Sequence, residues 1–111
     1  MQFLLLIYEN EQRFASGFDP AEMQEYDAFG KQHANAIKGG NALHPTTEGQ
    51  TVRVRNGKAL TTDGPFAETK EQLGGYYLVE AADKKAAAAI AAGIPGARFG
   101  CVEVRPIMTF S

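Results

Sequence analysis

One cysteine, Cys101, occurs among 111 residues. A lone thiol excludes an internal disulfide and a zinc site built from several thiolates, and it suits a reducing, cytoplasmic setting. An excess of charge is also missing: 11 Lys and Arg stand against 13 Asp and Glu, a formal net charge of -2. With no basic stripe to meet phosphate backbones, nucleic acid is not an expected partner. No apolar run approaches the length of a membrane-spanning helix, so no membrane partner is expected either. The apolar N-terminus, Met1 to Tyr8, is too short for a signal-peptide core and has no basic region before it or small-residue cleavage site after it. Gly-rich phosphate loops, nucleophile elbows and paired zinc-ligand motifs are absent, which argues against a nucleotide-dependent enzyme, a serine hydrolase or a metal centre. No cofactor is expected.

What is present describes one folded unit. At 44% hydrophobic and 22% charged residues the chain has an ordinary globular composition, and its length allows a single core, so residues 1–111 read as one domain. Phe3 to Tyr8 is apolar without alternation, as in a strand whose sheet is covered on both faces. Asn10 and Glu11 end it. Asp19 then caps a helix starting at Pro20, with Met23, Tyr26, Phe29 or Gly30, His33 and Ile37 at helical spacing and Gly39-Gly40 as the stop.

Asn41 to Thr47 reads as a short strand interrupted by Pro45. Thr51 to Arg55 and Lys58 to Thr62 flank Asn56-Gly57, the strongest short hairpin signal. Asp63-Gly64-Pro65-Phe66 forces a turn. Ala67 to Leu73 is a polar loop or helical turn closed by Gly74-Gly75. Tyr76 to Ala81 follows as a strand, Asp83 caps a second helix over Lys84 to Ala92, and Gly93 and Pro95 end it. The last strand lies near Phe99 to Val104, with Pro106 marking an edge or a bend.

This order matches an α+β, ferredoxin-like antiparallel sheet with two helices on one face and an extra β-hairpin. Two helices cover one face of such a sheet. The other, which carries apolar side chains of the first strand, is therefore expected to pack on a second copy in a homodimer.

The stretch from Lys58 to Leu78, KALTTDGPFAETKEQLGGYYL, resembles the signature that names the DGPF branch of the YCII-related proteins. Leu5 to Tyr8 resembles that family's opening strand and Val102 to Pro106 its closing one. The resemblance implies a dimeric α/β barrel of the ferredoxin-like class, in a family often linked with extracytoplasmic-function sigma factors. Related YCII proteins include a chloroaromatic dehydrochlorinase thought to use a His and Asp pair. This sequence departs there: early in the first helix, where that histidine lies, it has Tyr26, Asp27 and Phe29, and His33 comes later.

Several residues could carry chemistry. Asp63, beside Gly and Pro at a strand end, is either a general base or the pivot of an Asx turn. A histidine is the side chain whose ordinary range lies near neutral pH, and His44 forms an acid–base pair with Asp63 if the fold joins them. Glu68, Lys70 and Glu71 follow Asp63 and are either a solvated loop or a lid, in which Lys70 meets an anionic ligand and Gly74-Gly75 serves as the hinge, and Phe66 is a further candidate for ligand binding. Glu103 and Arg105 share one face of the last strand and either line a cavity as an ion pair or stand as surface charges. Tyr76 and Tyr77 point to opposite faces, so one belongs to the core while the other can offer a hydroxyl to a pocket. Cys101 reads as a buried small side chain rather than a nucleophile.

The functional expectation is a small-molecule-binding protein, a lyase or isomerase in which Asp63 and His44 move protons on an unknown small organic ligand. The alternative is a non-catalytic ligand-binding or regulatory module that uses the same cleft.

Overall fold

The computed structural model describes residues 1–110. Strand β1, Gln2–Glu9, alternates strictly in burial: Phe3, Leu5, Ile7 and Glu9 are buried, while Leu4, Leu6 and Tyr8 are half-buried on the opposite face. A 3₁₀ turn over Glu11–Phe14 follows, capped by Asn10, whose side chain accepts a hydrogen bond from the Gln12 amide at 2.9 Å. Helix α1, Pro20–Gln32, starts where Asp19 accepts from the Ala21 amide at 2.9 Å, and the proline costs nothing there because that first amide has no helical acceptor.

Gly39-Gly40 does not stop this helix. It ends at Gln32 with His33 as its C-cap, and the pair lies inside strand β2, Ile37–Ala42. Packing explains the glycine: a Cβ on Gly40 would stand 2.7 Å from the Tyr76 carbonyl oxygen and 2.9 Å from the Tyr77 ring. The expected strand over Asn41 to Thr47 is thus displaced toward the N-terminus, and Thr46–Glu48 forms a 3₁₀ turn after Pro45.

Strands β3, Gln50–Arg55, and β4, Lys58–Asp63, form the expected hairpin, with both turn residues in the left-handed region, Asn56 at φ 54° and Gly57 at φ 77°. It is a separate two-stranded sheet. Strand β5, Gln72–Glu80, contains Gly74 and Gly75, so these glycines are sheet residues and not the hinge of a lid. Helix α2, Lys84–Ala91, begins where Asp83 accepts from the Ala86 amide at 2.8 Å. Strand β6, Cys101–Pro106, ends the sheet at one edge.

The main sheet is four-stranded and antiparallel in the order β2-β5-β1-β6. It is open at both edges, so no barrel closes within the chain. Both helices contribute to one core: Phe29 of α1 and Ala87 and Ala91 of α2 pack with Phe3, Leu5, Ile7, Val79 and Ile94. Burying each of the large members is worth roughly 1.5–3 kcal/mol. On the opposite face the register sets Leu4 beside Leu78 and Arg105, and Leu6 beside Tyr76 and Glu103. Among the described residues no helix is long and apolar enough to cross a membrane.

Candidate functional site

Where β1 runs out, the chain opens a cleft. The 3₁₀ turn after β1 and the first half of α1 form one wall, and the end of β2 through Pro45 with residues 74–77 of β5 forms the other, around a cavity of about 730 Å³. Phe14, Phe18, Met23, Leu43 and Tyr77 make much of it apolar, as small-molecule sites are. Its polar groups come chiefly from the wall that begins at Glu9.

Glu9 continues the odd-numbered alternation of β1 and so points to the covered face, where it is 6% exposed. A carboxylate there needs a partner. The 3₁₀ turn supplies one four residues on: Arg13 Nη2 lies 2.8 Å from Glu9 Oε1 and 3.0 Å from each carboxylate oxygen of Glu22, which α1 presents from its first turn. The guanidinium also stacks on the Phe99 ring, 3.8 Å from its centroid, and lies 4.7 Å from that of Phe14. Its buried Nε has no hydrogen-bond partner among the described residues.

This arrangement perturbs each group. Burial pushes the Glu9 carboxyl above its ordinary value even though Arg13 pulls the other way. Burial works against the charge of Arg13, but its hydrogen bonds to Glu22 and Glu9 outweigh that and raise it. The Tyr26 hydroxyl, from the second turn of α1, is pushed up to about 12 by burial and by the charge of Glu9, and it accepts a hydrogen bond from the Gly96 amide at 3.2 Å. Glycine at that amide leaves them room, since a Cβ would stand 2.8 Å from the Tyr26 oxygen and 3.2 Å from Glu9 Oε1 and push these side chains aside. Glu9 and Tyr26 therefore converge beside one backbone position, both biased toward their neutral forms. The shift moves Glu9 toward the range of a general acid or base, while Tyr26 stays a neutral hydroxyl that can donate a hydrogen bond to a ligand.

Linkage makes the Glu9 shift measurable. With its pKa raised on folding, the native state binds more protons than the unfolded chain above the ordinary value of 4.5, so the stability attached to Glu9 is full below that pH and falls as pH rises through the folded pKa. The stability difference between wild type and Glu9→Gln should move against wild type over that window. Urea titrations at several pH values that yield a constant difference would contradict the shift.

Of the residues singled out by sequence, His44 and Tyr76 line the cleft. His44 is exposed at its mouth, with Nδ1 3.9 Å from Glu48 Oε2, so the carboxylate beside it belongs to Glu48 and not to Asp63. The Tyr76 hydroxyl accepts from Asn41 Nδ2 at 2.9 Å, whereas Tyr77 packs on Phe29 with ring centroids 5.1 Å apart, which makes Tyr77 the core member of the pair. Asp63 ends β4 and accepts from Gln50 Nε2 at 3.3 Å. Phe66, Glu68 and Lys70 are exposed. Glu103 and Arg105 do pair, at 3.4 Å, but as exposed charges on the open face of the sheet, where the Tyr8 hydroxyl donates to Glu103 at 3.4 Å. These six lie outside the cleft of their own chain.

Cys101 is corrected from buried to exposed. At a sheet edge with Glu71 Oε1 3.8 Å from its sulfur, it has a thiol raised by partial desolvation and by that carboxylate, which disfavours a thiolate nucleophile. Among the described residues no group of three or more His, Cys, Asp or Glu side chains could hold a metal ion.

Sequence reasoning missed Glu9, Arg13 and Glu22 as site residues. One signal was available: extending the period-2 alternation of Phe3, Leu5 and Ile7 by one step puts a carboxylate on the covered face.

Comparison with known proteins places this architecture. An uncharacterised protein of Rhizobium meliloti (strain 1021) is 34% identical over 117 residues, an alignment that covers 99% of this chain and 94% of that protein. The model of the YCII-related domain matches residues 1–111. The chain belongs to the YCII-related domain family.

Proposed function

We propose that the chain is a small-molecule-binding protein of the DGPF branch, and that cofactor-independent acid–base chemistry of the lyase or isomerase kind takes place in the cleft between α1 and β5. The observation that carries this reading is the convergence of Glu9 and Tyr26, both pushed toward their neutral forms, in a cavity of about 730 Å³. Glu9 acts as the acid–base group and Arg13 holds it in place. His44 stands at the mouth, where its imidazole can meet the ligand. The run from Lys58 to Leu78 supports the DGPF assignment.

The strand order β2-β5-β1-β6, with a helix after β1 and another after β5, supports a ferredoxin-like topology. The side chains of Leu4, Leu6 and Leu78 on the open face support a homodimer in which two such sheets pack together, and the lone cysteine suits a cytoplasmic setting. Asp63, Phe66, Glu68 and Lys70 reach a cleft in this arrangement only if a second chain carries them there.

One observation favours a non-catalytic reading, a binding or regulatory module linked to extracytoplasmic-function sigma factors. A single guanidinium holds both Glu9 and Glu22, which stiffens the cleft without leaving a free base.

Screening small organic compounds by thermal shift and then by turnover separates the two. On the enzyme reading, Glu9→Gln retains binding while turnover falls by roughly 10²-fold, the usual contribution of a positioned acid or base. Filling the cavity with Ala42→Trp should abolish binding. A ligand whose affinity survives Ala42→Trp unchanged would move the site elsewhere, and full turnover in Glu9→Gln would leave the module reading.

A further inference from the structure

An isolated two-stranded hairpin is marginal in water, yet β3 and β4 stand apart from the main sheet with every residue except Thr51 exposed. Pairing continues to the base, where the Gly64 amide donates to the Gly49 carbonyl at 2.8 Å, so the two strands form a stiff arm. The register puts Arg53 opposite Leu60 and Arg55 opposite Lys58, which gives one face of the arm three cations around an apolar side chain. Leu60 is 51% exposed.

The mouth of the cleft has the opposite character. Asp19 and Asp27 are exposed on it, beside Phe18 and Met23, which are 67% and 56% exposed. A cationic arm with an uncovered leucine and an anionic mouth with uncovered apolar side chains thus occur in one chain.

We propose that the arm of one chain docks across the cleft mouth of a second copy, with Arg53, Arg55 and Lys58 against Asp19 and Asp27, and Leu60 against Phe18 and Met23. This rests on reading the cleft as the site, and it makes the partner's arm the wall that the open mouth lacks. A second copy is the occupant because both complementary surfaces belong to the same chain, so one twofold exchange buries both at once. Reach permits it: strands of six residues at about 3.3 Å each extend about 20 Å, twice the roughly 10 Å between packed sheets.

Chains of two kinds, mixed in a Cys101→Ser background, test the exchange. One carries Arg55→Cys and an affinity tag, and the other carries Asp27→Cys. A short bismaleimide should join tagged to untagged chains, and should fail when Lys84→Cys on α2 replaces Asp27→Cys. The triple reversal Arg53→Glu, Arg55→Glu, Lys58→Glu should leave the circular dichroism spectrum intact and raise the dimer dissociation constant about tenfold or more, with a weaker effect at high salt. Mixing that variant with Asp27→Lys should recover part of the loss.

A wild-type dissociation constant in the triple variant, or no more tagged-to-untagged product with Asp27→Cys than with Lys84→Cys, would overturn the exchange. Ligand screening reads the cleft separately. A cross-linked arm over a cleft that binds nothing sinks the small-molecule reading alone, and a ligand-binding cleft with no cross-chain product sinks the arm alone.

Discussion

Replacing Arg13 with Met should destabilise the fold by about 3 kcal/mol at neutral pH, because breaking a buried pair from one side leaves uncompensated charge behind. Two carboxylates are stranded at once. The side chains of Glu9 and Glu22 are 8% and 10% exposed, so water cannot replace the guanidinium that bridges them. Methionine keeps much of the volume packed on Phe99 and removes only the charge and its hydrogen bonds.

The sign of the pH dependence is part of the expectation. Burial raises the Glu9 carboxyl and without Arg13 nothing opposes it, so the penalty is small below the ordinary glutamate range and grows as pH rises through its folded value. Adding Glu9→Gln and Glu22→Gln to Arg13→Met should recover most of the stability at pH 7. Urea denaturation of these variants is the measurement. A loss below about 1 kcal/mol at pH 7, the range of exposed ion pairs, would show that the cluster is solvated.

Aspartate at Leu5 and at Leu6 should have opposite consequences, although the residues are neighbours. Leu5 is 0% exposed between β1 and the helices, and a charge there loses roughly 2 kcal/mol of burial and adds several more for an unpaired buried carboxylate. Against a total stability of about 5–15 kcal/mol, Leu5→Asp should abolish the cooperative fold or leave it barely populated. Leu6 faces the open side of the sheet, half-buried among Tyr76 and Glu103, so its aspartate variant should fold and lose self-association. Circular dichroism reports the first result and light scattering the second. Wild-type stability in Leu5→Asp would deny that this face is the core, and an undiminished dimer in Leu6→Asp would place the interface elsewhere.

The parts of the fold legible in the sequence are those whose cause is local. Asn56-Gly57 announces a hairpin because both turn positions need a positive φ, and both have one. Asp19 and Asp83 announce helix starts because each bonds an amide two or three residues ahead. Gly39-Gly40 and Gly74-Gly75 misled for the same reason. A glycine pair reads locally as a stop or a hinge, while here the pairs lie in adjacent strands and Gly40 admits the close approach of Tyr76 and Tyr77.

The candidate site was legible only in part. His44 does line the cleft, and Tyr76 borders it while its side chain shares the open face with Leu6, but the sequence cannot show that Tyr26 meets an amide 70 positions away or that Gly96 leaves room for Glu9. Glu22 is a favourable charge in the first turn of α1, and its bond to Arg13 appears only when the chain folds. By itself the sequence determined the α+β class, the hairpin and the helix starts, because turn dihedrals, caps and alternation act over a few residues, and the family showed in the resemblance of whole residue runs such as Lys58 to Leu78. Tertiary structure decided which carboxylates are buried, which histidine meets which acid and where the cleft opens, because desolvation and charge pairing depend on neighbours that the chain brings together only by folding.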